Sequence, residues 1–186
     1  LNVVPNTVVG VGSTAPLSLI YDEEHEIILV NRVGFTSAGI NTERNSITLP
    51  NHGYSTGDKV FYNSDYAHAD AVGGLSTSRS YFVYELNRNE FSVAETLKDV
   101  QVDPPLLVGI SSTGAVDHTI AAINPQIDVI KNSKLTFNVS DSSLFGYELK
   151  VFYDQQFKNE FISAQDDNNF NVSGVGTVGV GTESTI

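Results

Sequence analysis

Ser80-Tyr81-Phe82-Val83-Tyr84-Glu85-Leu86 runs into Asn87-Arg88-Asn89 and returns through Glu90-Phe91-Ser92-Val93-Ala94. Both flanks are rich in aromatic and β-branched residues, which favour strands. The joint holds two Asn, a residue that tolerates the left-handed backbone of a tight turn. The stretch therefore predicts a β-hairpin. The same grammar extends in both directions. Toward the C-terminus, Ile127, Val129, Leu135, Phe137 and Val139 alternate with Asp128, Thr136 and Asn138, the period of a half-buried strand. Glu26–Asn31, Ile47–Leu49, Lys59–Tyr62, Leu106–Ile110, His118–Ala122 and Leu149–Tyr153 read as further short strands.

Turn signals separate them: Asn51-His52-Gly53, Ser55-Thr56-Gly57-Asp58, Gly73-Gly74 and Ser111-Ser112-Thr113-Gly114. Helical signal is confined to Ala94–Val100, while Ser142–Tyr147 reads as a loop or a single turn. The expected fold class is all-β, built as chained β modules or sandwiches. Breaks are expected near Asn45 and Ile123. They give a lead-in β segment (1–44), a central module (45–122), a sandwich-like unit (123–173) and a Gly/Val linker (174–186). Gly10-Val11-Gly12-Ser13-Thr14 echoes Gly179-Val180-Gly181-Thr182-Glu183, either as flexible linkers or as repeat boundaries.

Composition narrows the function classes. The 186 residues carry ten basic and 22 acidic side chains, a formal charge of −12. Such a surface repels phosphate backbones, so nucleic acid is not an expected partner. Eight Tyr and ten Phe supply core material that disordered acidic chains lack. With no cysteine, there is no disulfide, thiolate metal site or cysteine nucleophile. No run approaches the roughly 20 apolar residues of a spanning helix, so membrane insertion is not expected. The chain opens on Leu1 and contains no Met, so a fragment of a longer protein is expected.

The run from Asn45 to about Ile120 carries His52-Gly53-Tyr54-Ser55-Thr56-Gly57-Asp58-Lys59-Val60, then Gly73-Gly74-Leu75. The strands Tyr81–Tyr84 and Phe91–Ala94 follow, and Gly114 through His118-Thr119 closes the run. This pattern, His-Gly-x-x-Thr-Gly-Asp-x-Val, resembles a β module of phage tail proteins and large bacterial surface proteins. The stretch Thr119–Asp141 and the Gly-Val-Gly-Thr tail resemble virion structural proteins of myoviruses that infect marine cyanobacteria. The resemblance implies a place in a virion tail, baseplate or fibre more than it implies a mechanism. Ile127–Asp141 also resembles the opening strands of a cupredoxin-like sandwich. Blue copper needs two His, a Cys and commonly a Met; Cys and Met are absent here, so no copper site is expected.

In the motif, Gly53 and Gly57 give backbone freedom, Asp58 suits an Asx-type turn, and His52 is expected to anchor the turn rather than bind a metal. No nucleophile elbow, phosphate loop or dinucleotide motif occurs, so no enzyme activity is expected. The run Asp22-Glu23-Glu24-His25-Glu26 reads as edge charge. Two loops remain as candidates. Asp65, Tyr66, His68 and Asp70 combine an aromatic ring with carboxylates, as a sugar-binding surface does. Asp166, Asp167 and Asn168 are oxygen-rich, and calcium takes about six to eight oxygens. No cofactor is expected; calcium is the best candidate for one. The expected function is a non-enzymatic structural component of a virion, partnered by other virion proteins and copies of itself. The alternative is an adhesin module that binds a host-surface glycan or receptor.

Overall fold

The computed structural model describes residues 2–3, 17–64, 71–114, 117–123, 136–145, 150–151, 158 and 183–185. Among the described residues the chain is mostly β-sheet with almost no helix, so the all-β class holds. It divides into two compact units, one formed by Leu1–Asn31 with Asn124–Ile186 and the other by Arg32–Ile123.

In the first unit, β1 (Asn2–Val3) pairs in parallel with β11 (Lys150–Val151). β2 (Leu17–Asp22) runs antiparallel to the first half of β3 (Ile27–Thr36), with Leu19 opposite Val30. β2 also pairs in parallel with β10 (Thr136–Asn138), which in turn meets β12 (Glu183–Thr185) antiparallel. Leu17, Leu19, Ile28, Leu29, Val30, Phe137, Val139 and Leu144 are its buried side chains among the described residues. Leu144 lies in a 3-10 turn, Ser142–Leu144, capped by the Asp141 side chain accepting from the Ser143 amide.

The second unit starts thirteen positions ahead of the break expected at Asn45. Phe35 and Ile40 explain the difference: both are buried, and Phe35 packs against Tyr62 and His118 deep in the unit. Across the sheet, β3 is followed in order by Asp117–Ile123, Lys59–Ser64, Arg79–Asn87, Glu90–Ala94, Ser46–Thr48 and Ile40–Asn41. Here β4 is Ile40–Asn41, β5 Ser46–Thr48, β6 Lys59–Ser64, β7 Arg79–Asn87, β8 Glu90–Ala94 and β9 Asp117–Ile123. The β7–β8 hairpin forms as its sequence predicts, with a register shift between Glu85 and Asn87. Val60, Tyr62, Tyr81 and Val83 are almost wholly buried, as are Ile47, Phe91, Val93 and Ile120.

Two sequence expectations change. The helical turn is α1, Leu97–Gln101; it starts later than Ala94 because Ala94 completes β8 and Thr96 takes the cap. Thr96 and Asp99 form a reciprocal capping box there, which satisfies amides that open the helix. Leu106–Ile110 is not a strand. Its amides disperse to three partners, the carbonyls of Asp99 and Val93 and the Asn45 side chain, so no ladder forms. Pro104 and Pro105, just upstream, have no amide hydrogen to give. The cupredoxin-like reading rests mainly on residues 127–135, which lie outside the described residues.

Candidate functional site: the His52–Asp58 clamp and the His118 network

The motif lies along the β7–β8 hairpin and bonds to it at both ends. At the near end the Leu49 amide donates to the Asn89 carbonyl (2.9 Å) and the Asn51 amide to Asn89 Oδ1 (2.9 Å). At the far end the Gly57 amide donates to the Val83 carbonyl (2.9 Å), and the Val83 amide returns to the Asp58 carbonyl (2.9 Å). Between them the Glu85 amide donates to Thr56 Oγ1 (2.9 Å). Asn51, Gly53 and Gly57 have positive φ, which lets the chain turn twice within seven residues.

The imidazole of His52 sits at the centre of this clamp. The Tyr54 amide donates to Nδ1 (3.0 Å), so Nδ1 carries the lone pair and the proton resides on Nε2. Nε2–H then donates to the Asn87 carbonyl (2.9 Å). The ring also stacks on Tyr54 (centroids 5.5 Å) and meets the edge of Phe91 (5.0 Å). Both nitrogens are committed, so a metal would have to break one of these bonds.

Asp58 closes the second turn. Its Oδ2 accepts from the Ser55 amide (2.8 Å), while its own amide donates to the Ser55 carbonyl (3.0 Å). Burial pushes the Asp58 carboxyl above its ordinary range. The Ser55 hydrogen bond opposes that rise, and the charge of Glu85 adds to it. Burial, and then the Asp58 charge, hold the Tyr54 phenol far above its usual value, so it stays neutral.

A second polar cluster lies in the core. His118 is fully buried and Tyr62 nearly so. The Val72 amide donates to the Tyr62 hydroxyl oxygen (2.9 Å), and that hydroxyl reaches His118 Nδ1 (2.9 Å). His118 Nε2 donates to the Thr113 carbonyl (3.3 Å). This chain of donors ends on an acceptor at each step, so the buried groups are satisfied. Burial raises the Tyr62 pKa, an effect the Val72 hydrogen bond partly offsets and Tyr81 reinforces.

Gly73 and Gly74 serve close approach. The Gly73 amide donates to the Ser112 carbonyl (3.0 Å), and the Ser111 amide to the Gly73 carbonyl (2.9 Å). A Cβ on Gly74, whose φ is +97, would stand 2.1 Å from the Gly109 carbonyl oxygen.

His52, Gly53, Gly57 and Asp58 are thus brought together. The candidate ligand-loop residues Asp65, Tyr66, His68 and Asp70 lie outside the described residues, as do the candidate calcium residues Asp166, Asp167 and Asn168. His25 Nδ1 lies 3.0 Å from Asp22 Oδ1, within the turn joining β2 to β3. Among the described residues no three His, Asp or Glu side chains converge as a metal site, and no helix is long and apolar enough to cross a membrane. Sequence reading missed Asn87, Asn89, Tyr62 and Val72 as partners. Their roles depend on neighbours up to 56 positions away, and no local pattern carries that information. No protein-family model, curated protein or solved structure matches the chain.

Proposed function

We propose that this chain is a non-enzymatic structural component of a phage virion, from a tail, baseplate or fibre. One observation carries the reading: the motif's polar groups are spent on holding shape. His52 uses both ring nitrogens internally, Thr56 and Asp58 cap backbone amides, and His118 is sealed in the core. Side chains used this way act by geometry rather than by chemistry on a substrate. Assembly with copies of itself and with other virion proteins follows from the symmetry of such particles.

The reading gives a direct expectation for His52. Replacing it with Ala removes two hydrogen bonds and two ring contacts, so the melting point is expected to fall by the equivalent of about 1–3 kcal/mol. On this reading calcium, zinc and host-surface polysaccharide are expected to leave the melting point of the unaltered chain unchanged. A rise with calcium or sugar, by mass action, would overturn the structural reading in favour of a binding module.

A further inference from the structure

We infer that Arg32–Ile123 is an inserted domain that opens and closes as its own cooperative block within the longer chain. The connectivity is the first ground. The other unit is made of two chain segments, Leu1–Asn31 and Asn124–Ile186, and the whole of Arg32–Ile123 lies between them in sequence. The second ground is where the insert begins and ends. Arg32 lies on β3 and Ile123 on β9, which are neighbours in the sheet. A Cβ on Gly34 would stand 3.8 Å from the His118 carbonyl oxygen, so the two strands lie against each other there. Insertions are tolerated where the ends of the inserted piece lie together.

The third ground is closure of the polar network. The clamp bonds of Leu49, Asn51, His52, Gly57 and Val83 have both partners inside the insert, as do those of the Tyr62–His118 cluster. The Ser46 hydroxyl donates to Glu90 (2.6 Å), again inside. The fourth is the core. Ile47, Val60, Val83 and Phe91 are fully buried at the level of a complete domain interior, in a stretch of roughly 90 residues, within the common range for independent domains. A segment with its own core, clamp and His118 hydrogen bonds closed within it, and ends on neighbouring strands has what a separate cooperative unit requires.

Amide hydrogen exchange by mass spectrometry on the full chain, in mild denaturant, tests this. Peptides across Arg32–Ile123 are expected to share one opening rate. Ile47→Val, a mild core change that leaves the fold intact, should raise opening across all of them by about 2- to 10-fold. It should leave Leu17–Asp22 and Thr136–Asn138 unaltered. Leu19→Ala should do the reverse, raising opening in those strands by about 30-fold or more and sparing Ile47 and Phe91. If either substitution accelerates both sets of peptides alike, the chain opens as one body and the inference fails. It also fails if peptides within Arg32–Ile123 respond to Ile47→Val at different rates.

Discussion

Asp58 is a carboxylate held where its charge is costly. Its folded pKa lies above the unfolded value of 3.8, chiefly through burial, so the folded state binds the proton more tightly than the unfolded state. For an acid shifted upward, the ionised form weakens the fold at neutral pH, and that penalty fades as pH falls through the folded pKa toward 3.8. Asp58→Asn keeps an oxygen for the Ser55 amide and removes the repulsion from Glu85. The variant should therefore melt at or above the unaltered chain at pH 7, and the gap should close near pH 4. Thermal unfolding at the two pH values reads this out; a variant that melts lower at pH 7 would mean the charge-assisted Ser55 bond outweighs burial. At this scale the sequence was informative about the motif glycines, because positive φ is a local property; at Asp58 an Asx-type turn was expected, but the carboxylate instead reaches back three residues to the Ser55 amide. The sequence was silent on which acceptor His52 Nε2 takes, since Asn87 lies 35 positions away.

Turns and crossings decide which glycines matter. Gly53 and Gly74 both have positive φ, 70° and 97°, yet their surroundings differ. Nothing lies within 4 Å of a Cβ on Gly53, whereas the Gly109 carbonyl oxygen would be 2.1 Å from one on Gly74. Gly53→Ala should cost only the left-handed strain, about 1 kcal/mol. Gly74→Ala adds a backbone clash that cannot relax by a side-chain rotation, and should cost about 2–4 kcal/mol. Denaturant melts of the two variants separate strain from collision; equal losses would contradict the close crossing of 73–74 with 109–112. The hairpin was legible because strand-favouring residues flank a polar joint across Ser80–Ala94; the left-handed Asn expected at that joint does not occur, since neither Asn87 nor Asn89 has positive φ. The 106–110 segment was not: its apolar content reads as a strand, but its amides serve three different partners. Hydrophobicity reports burial, and it does not report where the hydrogen bonds go.

For the whole molecule, strand periodicity and the scarcity of helix signal were enough for the all-β class. The division into units was harder to read. Phe35 and Ile40 join the Arg32–Ile123 core from before the motif, and nothing local distinguishes a strand that leads into one unit from a strand that belongs to it. The acidic composition, the motif and the internal hydrogen bonds of His52 are the grounds of the proposal that the chain contributes shape to a larger particle. Immunogold electron microscopy tests that account most directly, using antibody to this chain on purified phage particles that carry the sequence and on uninfected cells of their host. Label on a tail, baseplate or fibre is the predicted result. Label confined to the cell surface, with bare particles, would contradict it and identify the chain as a cellular surface module instead.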